Sequence, residues 1–263
     1  MSSGPSDPLR THELFAHERV ALGYASARPF LHPEVFAQVR ELIRPAGPLG
    51  RALDIGCGTG LSSVALLALA PRVVGLDASA EMLRAARRAR HLHYVASAAE
   101  ALPFRSRSFD LIAACGSMDW VDREAFMPRV AELLVSGGWL TCLDFGDLGR
   151  SSEIPGLGRW YEEVFRRTYP PPPARDPRLT REEAARFGFT GPVDHTFSSQ
   201  WSFTASQYAG FLMTESNVIA AVEYGGQAAG RVRGWLEAEL APLFTGEPRH
   251  VAFGGYIQVL RRL

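Results

Sequence analysis

The chain has 263 residues, with 28 acidic and 28 basic side chains and no formal net charge. That balance argues against an electrostatic footprint for nucleic acid or for an anionic membrane surface. The length allows one domain of about 200 to 250 residues with room for a cap, and the neutral balance is that expected of a soluble enzyme. All the basic residues are arginine, so no lysine is available as a base or a Schiff-base nucleophile. The cysteines, Cys57, Cys115 and Cys142, are odd in number and widely spaced. No disulfide framework or metal site is expected, and a reduced, cytoplasmic setting fits. The first residues are polar, with no apolar signal core, and no apolar run approaches membrane-spanning length. Oligomeric state is not legible.

In chain order, residues 1–10 read as disordered and residues 11–27 as a helix bearing Leu14, Phe15, Val20 and Leu22. Pro33 suits the first turn of a second helix over residues 34–43, which Pro45-Ala46-Gly47-Pro48 ends. Residues 51–55 form a short buried strand, and Gly56, Gly58 and Gly60 a turn whose backbone angles a Cβ would forbid. A helix over residues 61–70 follows, its free N–H groups and positive end turned toward whatever the turn holds. Residues 72–76 are a second strand ending at Asp77, with Ser79 capping a helix that runs to Arg90. Strands at residues 91–96 and 108–115 come next, then a helix over 123–135, a C-cap turn at Ser136-Gly137-Gly138 and a strand at 139–145. Beyond Asp147 the pattern predicts a helix over 155–168, broken by Tyr169 and four prolines that read as a rigid linker. A short helix over 181–187 and a strand over 193–203 follow. Thr204 caps a helix over 205–213. A turn at Tyr224-Gly225-Gly226, a helix over 228–240 and a last strand over 249–261 complete the chain.

Two nucleotide-binding patterns compete at the first glycine turn. A dinucleotide fold wants Gly-x-Gly-x-x-Gly with an acidic residue about 20 residues on. Asp54-Ile55-Gly56-Cys57-Gly58-Thr59-Gly60 instead has Gly-x-Gly-x-Gly behind a carboxylate, which would repel a pyrophosphate and suits an ammonium group. This stretch resembles motif I of the class I S-adenosylmethionine (SAM) methyltransferases. Gly75-Leu76-Asp77-Ala78-Ser79 resembles motif II. Ser97-Ala98-Ala99-Glu100-Ala101-Leu102-Pro103-Phe104 is similar to the family's Gly-Asp-Ala-Glu-x-Leu-Pro-Phe, with Ala98 where the family has the Asp that accepts the adenine amino group. Glu132-Leu133-Leu134, two further residues and Gly137-Gly138 before an apolar strand is again a family pattern. Residues 24–33, with Tyr24 and Arg28-Pro29, resemble the N-terminal lid of the trans-aconitate-type branch. That branch's Arg-Thr-Trp-Ser falls on Met213-Thr214-Glu215-Ser216.

The resemblance implies a Rossmann-like α/β fold, a seven-stranded mostly parallel sheet with an N-terminal helical lid and an α-helical cap. The expected boundaries are residues 1–45 for the lid, 46–147 for the cofactor-binding core and 148–263 for the cap and last two strands. SAM is the implied cofactor, bound by Arg28, Asp54, Gly56, Gly58, Asp77, Ala78, Met82, Ala99, Glu100 and Cys115. Arg28 would pair with the cofactor carboxylate, Asp77 with the ribose hydroxyls, and Met82 would lie against adenine. Asp119, in the loop after the fourth strand, is the candidate general base for an acceptor hydroxyl. Tyr24, Trp120, His195 and Trp201 are candidate acceptor contacts, His195 and Trp201 sharing one strand face. The expected activity is methyl transfer to a small, fairly apolar acceptor, with O-methylation preferred. Still open are a methyltransferase-like fold running a non-methylating reaction such as a cyclisation, and a non-catalytic binding subunit. A nicotinamide-dependent dehydrogenase is disfavoured by the glycine spacing and the absence of lysine.

Overall fold

The computed structural model describes residues 14–171 and 176–263. The expected disorder of residues 1–10, the first residues of the 11–27 helix and half of the proline run lie outside the described residues. In chain order the elements are α1 Glu18–Ala27, α2 His32–Ile43, β1 Ala52–Ile55, α3 Leu61–Leu66, β2 Val73–Asp77, α4 Ala80–Arg84, β3 Leu92–Ala96, β4 Phe109–Cys115, α5 Arg123–Leu133 and β5 Leu134–Asp147. They continue with α6 Leu157–Trp160, which runs on through a π-helical turn, Tyr161–Phe165, to Arg166–Thr168. Then come α7 Arg181–Arg186, β6 Phe189–Phe203, α8 Ala205–Leu212, α9 Ser216–Glu223, α10 Ala229–Phe244 and β7 Arg249–Arg262. No helix among the described residues is long and apolar enough to cross a membrane.

The chain forms two compact units. One comprises the described parts of Met1–Pro29, Gly146–Ala174 and Ser198–Gly254, the other those of Phe30–Phe145, Arg175–Phe197 and Gly255–Leu263. The boundaries drawn from the sequence differ. Helix α2, expected with the lid, belongs to the sheet unit, because Val35, Phe36, Val39 and Ile43 are buried in that unit's core.

The seven strands follow the order β3-β2-β1-β4-β5-β7-β6, and the pairs β1–β2, β1–β4, β2–β3 and β4–β5 are parallel. This is the expected Rossmann-like, mostly parallel sheet. Both faces are covered, as a parallel sheet requires. On one face α2 and α3 pack against Ala52, Val73, Leu111, Leu143 and Ile257. On the other, Phe126, Met127 and Val130 of α5 and Ala184 of α7 cover Leu53, Ile112, Cys142 and Leu260. Phe126 is 0% exposed, so its truncation to alanine should cost about 3–5 kcal/mol.

Two local expectations are corrected. The helix predicted to reach Arg90 stops at Arg84, because the chain beyond it bonds elsewhere. Arg87 N donates to Thr59 O at 3.0 Å, and the Tyr94 hydroxyl donates to Arg87 O at 2.6 Å. The turn at residues 136–138 is a bulge inside β5. Leu134 stands opposite Phe109 and Trp139 opposite Leu111, so the intervening residues loop out, with Gly137 at φ +74°.

The other unit is built on aromatic packing. Helix α8 packs against α1 and α10, and its Tyr208 and Phe211 meet Phe203, Phe244 and Phe253. Gly210 permits that approach, since a Cβ there would lie 3.3 Å from the Arg233 guanidinium. A second aromatic group joins Trp160, Phe165, Tyr169 and Trp235. Trp160 Nε1 donates to Glu239 and the Tyr169 hydroxyl to Gln227, each at 3.0 Å, so the polar ends of these rings are satisfied. Thr204 with Gln207, at the start of α8, forms a reciprocal capping box. Helix α9, which follows Glu215, has no counterpart among the elements expected from the sequence.

Candidate functional site

In an open α/β sheet, ligands lie beyond the carboxyl ends of the strands where the strand order reverses. Here that point is between β1 and β4. The glycine turn leaves β1, and the turn at Gly116-Ser117 leaves β4. The Ser117 hydroxyl donates to Ile55 O at 2.9 Å, and a Cβ on Gly56 would lie 2.6 Å from Ser117 Cβ. Gly56 is therefore required both by its φ of +67° and by a neighbour. Gly60 is required for the same two reasons, since a Cβ would stand 2.0 Å from the Tyr94 hydroxyl. Gly58 is different. Its φ is +51°, yet a Cβ there would meet nothing within 4 Å. The fold leaves open space beside this backbone, as a turn that cradles a ligand does.

Asp54, one residue before the end of β1, is 0% exposed. Its Oδ2 accepts from the hydroxyls of Ser62 (2.7 Å) and Ser63 (2.6 Å) on α3. Its Oδ1 is enclosed and has no hydrogen-bond donor. Burial pushes the carboxyl up to about 7, against the two serine hydrogen bonds, with the Asp77 charge adding to the rise. Cys57 and Cys115 are free thiols pushed well up by burial and by the charge of Asp54, which makes them poor nucleophiles. Cys115, half-buried at the end of β4, stands opposite Leu143.

Asp77 ends β2 and ties the neighbouring turns together. Its Oδ2 accepts from Gly58 N at 2.7 Å and its Oδ1 from Ser79 N at 2.8 Å. A carboxylate is acceptor-only, with two oxygens whose geometry matches a pair of ligand hydroxyls. Ser79, and not Asp77, caps α4, accepting from Met82 N. Ala78 is exposed between them, whereas Met82 is only 2% exposed. Residues 98–101 form a turn closed by Ala101 N to Ala98 O, with Ala99 half-buried inside it. Glu100 is already engaged, accepting from Asp122 N at 3.0 Å.

Asp119 is exposed as a residue while its carboxyl is partly enclosed. That enclosure raises its affinity for a proton, Arg123 opposes the rise and Asp176 adds to it. Trp120 is half-buried, its amide donating to Ser117 O. His195 departs from the acceptor-contact expectation. It is exposed on β6, the edge strand of the sheet, and its Nε2 meets Gln38 Oε1 of α2 at 3.0 Å.

Tyr24, Arg28 and Trp201 belong to the other unit. The Arg28 guanidinium stands 4.5 Å from the Tyr24 ring centroid and 5.1 Å from that of Phe211. It donates to Thr214 O at 2.7 Å and to the Tyr24 hydroxyl at 3.0 Å, and pairs with Glu215 at 3.2 Å. The expected fork to a cofactor carboxylate therefore competes with Glu215, which stands where the trans-aconitate-type branch has Trp. Trp201 is half-buried on β6. Sequence reasoning passes over Asp147 in this unit. It accepts from the buried Tyr208 hydroxyl and from Gly149 N, and burial pushes it up to about 7. It also passes over Ser62, Ser63, Ser117 and Tyr94. Ser62 and Ser63 act from the helix that follows the glycine turn, whereas Ser117 and Tyr94 reach that turn from β4 and β3.

The geometry defines a nucleotide-cofactor crevice at the switch point of a doubly wound sheet. The residues present fit SAM. Asp54 Oδ1 is an orphaned buried acceptor suited to an ammonium group, Gly58 borders open space, and Asp77 presents a carboxylate beside the same turn. Residues 53–142 match the family described as "Methyltransferase domain". A malonyl-[acyl-carrier protein] O-methyltransferase from Herminiimonas arsenicoxydans is 35% identical over 132 residues, 49% of this chain and 50% of that protein. A ubiquinone biosynthesis O-methyltransferase from Chelativorans sp. is 39% identical over 98 residues, 34% of this chain and 37% of that one. The chain thus spans half or less of the length of these relatives. A solved candidate type II methyltransferase from Anaeromyxobacter dehalogenans shares the fold, with a TM-score of 0.62 at 22% identity, over 86% of this chain and 94% of that one.

Proposed function

We propose that the protein is a SAM-dependent methyltransferase that transfers the methyl group to a small-molecule hydroxyl. The observation that carries this reading is the glycine turn. It is bordered by open space at Gly58 and backed by a buried Asp54 oxygen that no donor satisfies. An unpaired buried acceptor costs about 1–3 kcal/mol, which a ligand ammonium offsets. Asp54 would take that ammonium, Asp77 the ribose hydroxyls, and Met82 and Ala99 would border the adenine.

SAM supplies an electrophilic methyl group, so the protein's task is chiefly alignment of the acceptor. Where the acceptor is a hydroxyl, a base helps, and the raised affinity of Asp119 for a proton suits it to that role. The names of the two O-methyltransferase relatives support oxygen as the attacked atom. With Ala98 in place of the adenine-binding Asp and Glu100 held by Asp122 N, one hydrogen bond to the cofactor is missing. That is worth about 1 kcal/mol, or roughly a fivefold loss of affinity.

Calorimetric titration with SAM and with S-adenosylhomocysteine (SAH) tests the reading. Micromolar binding of both, the product form at least as tight, is the expected result. Failure of either to bind would refute it and bring the non-methylating readings forward.

A further inference from the structure

The sheet unit carries a second concave site, at the other end of the strands from the glycine turn. A groove of about 810 Å³ opens beside the amino ends of β4 and β5, within the range that small-molecule sites occupy. Strand β7 runs against β5, with Gly255 beside Asp144 and Arg261 beside Gly137, so its last residues reach this end of the sheet. The seven residues of β4, at about 3.3 Å each, put roughly 20 Å between the groove and the crevice. Pro128, Ala131 and Glu132 of α5, spaced i, i+3 and i+4, share the helix face that lines it. The buried Ala131 and Leu134 and the half-buried Phe187 give it an apolar floor.

The charges around the groove do not cancel. Glu132 is occupied on both oxygens, accepting from the Ser106 hydroxyl at 2.6 Å and pairing with Arg129. Arg186 pairs with Glu124. Arg262 is held by main chain, its Nε donating to Ala131 O at 3.0 Å and its Nη1 to Gly188 O at 2.7 Å. Those carbonyls fix the guanidinium without neutralising it, and its Nη2 has no protein acceptor among the described residues. Arg107, exposed on the rim, makes no side-chain hydrogen bond or ion pair among them either. The carboxyl end at Leu263 also lines the rim. Two unpaired guanidinium groups against one terminal carboxylate leave the groove positive. Arg107 is also held against local preference. Its φ of +55° is left-handed, which suits glycine or asparagine. Arg107 N donates to Glu132 O at 2.9 Å and Ser108 N to Leu133 O at 2.8 Å, so the last carbonyls of α5 impose that turn.

We propose that this groove binds a phosphate monoester carried on an apolar ring. Arg107 and the Nη2 group of Arg262 would hold the phosphate oxygens, with the exposed Ser136 hydroxyl as a further donor. Guanidinium groups match phosphate oxygens in geometry, and a dianion answers two unpartnered cations where a carboxylate brings a single charge. Ala131, Leu134 and Phe187 would take the ring. A neutral ligand leaves both guanidinium groups unmatched, and a cation is repelled. The site stands apart from methyl transfer, and the inference holds whether or not the cofactor reading does.

The test titrates 1-naphthyl phosphate, 1-naphthoate and inorganic phosphate into wild type, Arg107→Asn, Ser136→Ala and Arg72→Asn. Arg72, exposed just before β2 and outside the groove, controls for net charge. Naphthyl phosphate should bind wild type more tightly than naphthoate, which brings less charge, and than inorganic phosphate, which lacks the ring. Arg107→Asn should weaken it roughly three- to tenfold, the worth of one hydrogen bond. That variant should melt no lower than wild type, because asparagine suits the left-handed turn. Ser136→Ala repeats the comparison at an exposed side chain that makes no hydrogen bond among the described residues, so a folding defect in Arg107→Asn cannot mask the answer. It too should weaken binding. Arg72→Asn, and saturation with SAH, should leave the affinity unchanged. No binding of naphthyl phosphate, an affinity no better than that of naphthoate or inorganic phosphate, wild-type affinity in both groove variants, an equal loss in Arg72→Asn, or displacement by SAH would each overturn the proposal. Failure of SAH to bind would instead sink the cofactor reading, and the groove variants would still decide this one.

Discussion

Asp54→Asn isolates the charge on which the cofactor reading depends. In the folded, ligand-free protein the carboxyl titrates near 7, against 3.8 for an ordinary aspartate. The folded state therefore holds a proton on Asp54 that the unfolded chain releases between about pH 4 and 7. This contribution to stability is fully present below about pH 4 and is lost as pH rises through 7. A difference of about three units, at about 1.4 kcal/mol per unit, sets the loss at about 4 kcal/mol as an upper order of magnitude. Asparagine keeps an oxygen for Ser62 and Ser63 and cannot ionise. The ligand-free variant should therefore gain stability over wild type as pH rises from 5 to 8.

Cofactor binding should reverse the order. An ammonium beside Asp54 favours the charged carboxylate, so SAH binding to wild type at pH 6 should release close to one proton. The variant should bind more weakly and release none. Denaturant unfolding across that pH range, with calorimetry in two buffers of different ionisation enthalpy, measures both effects. An unchanged pH slope in Asp54→Asn, or equal SAH affinity and proton release in the two proteins, would refute the reasoning.

The two inner glycines should separate strain from collision. Gly60→Ala places a Cβ on the Tyr94 hydroxyl and should lower stability by about 1–3 kcal/mol, whereas Gly58→Ala meets nothing and costs about 1 kcal/mol of backbone strain. Gly58→Val should abolish SAH binding in a protein that still melts cooperatively, since its side chain enters only the open crevice. Asp77→Ala strips the acceptor from Gly58 N and Ser79 N and should likewise lose SAH binding with the sheet intact; wild-type affinity would refute its ribose role. Asp147→Asn should flatten part of the wild-type stability loss above pH 5, because burial raises Asp147 in the same direction as Asp54. Unlike Asp54→Asn, its proton release on SAH binding should match that of wild type.

The local grammar of this chain is legible in its residues alone. The Gly-x-Gly-x-Gly turn after an apolar strand, Asp77 at the next strand end and the Gly137-Gly138 pair each have a local backbone cause. They are enough to predict the sheet class and the place of the crevice. Hydrophobic periodicity also locates most helices within a few residues. Expectation fails where distant segments compete for backbone groups. α4 ends early because Thr59 O and the Tyr94 hydroxyl take up the Arg87 main chain. The glycine turn at residues 136–138 becomes a strand bulge because β4 supplies fewer residues than β5 across the same span. His195 is drawn to Gln38, on a helix 157 residues earlier in the chain.

The sequence by itself thus determined which residues would line the turn at β1 and why glycine was needed there. Only the tertiary structure decided which of those glycines is bounded by a neighbour and which by open space. It also decided that Asp54 is roofed by two serines, and that Arg107 and Arg262 line one groove. Local conformation follows from φ, ψ and side-chain period, which are written residue by residue. Burial and proton affinity depend on what the rest of the chain brings within a few ångströms, and no local pattern encodes that.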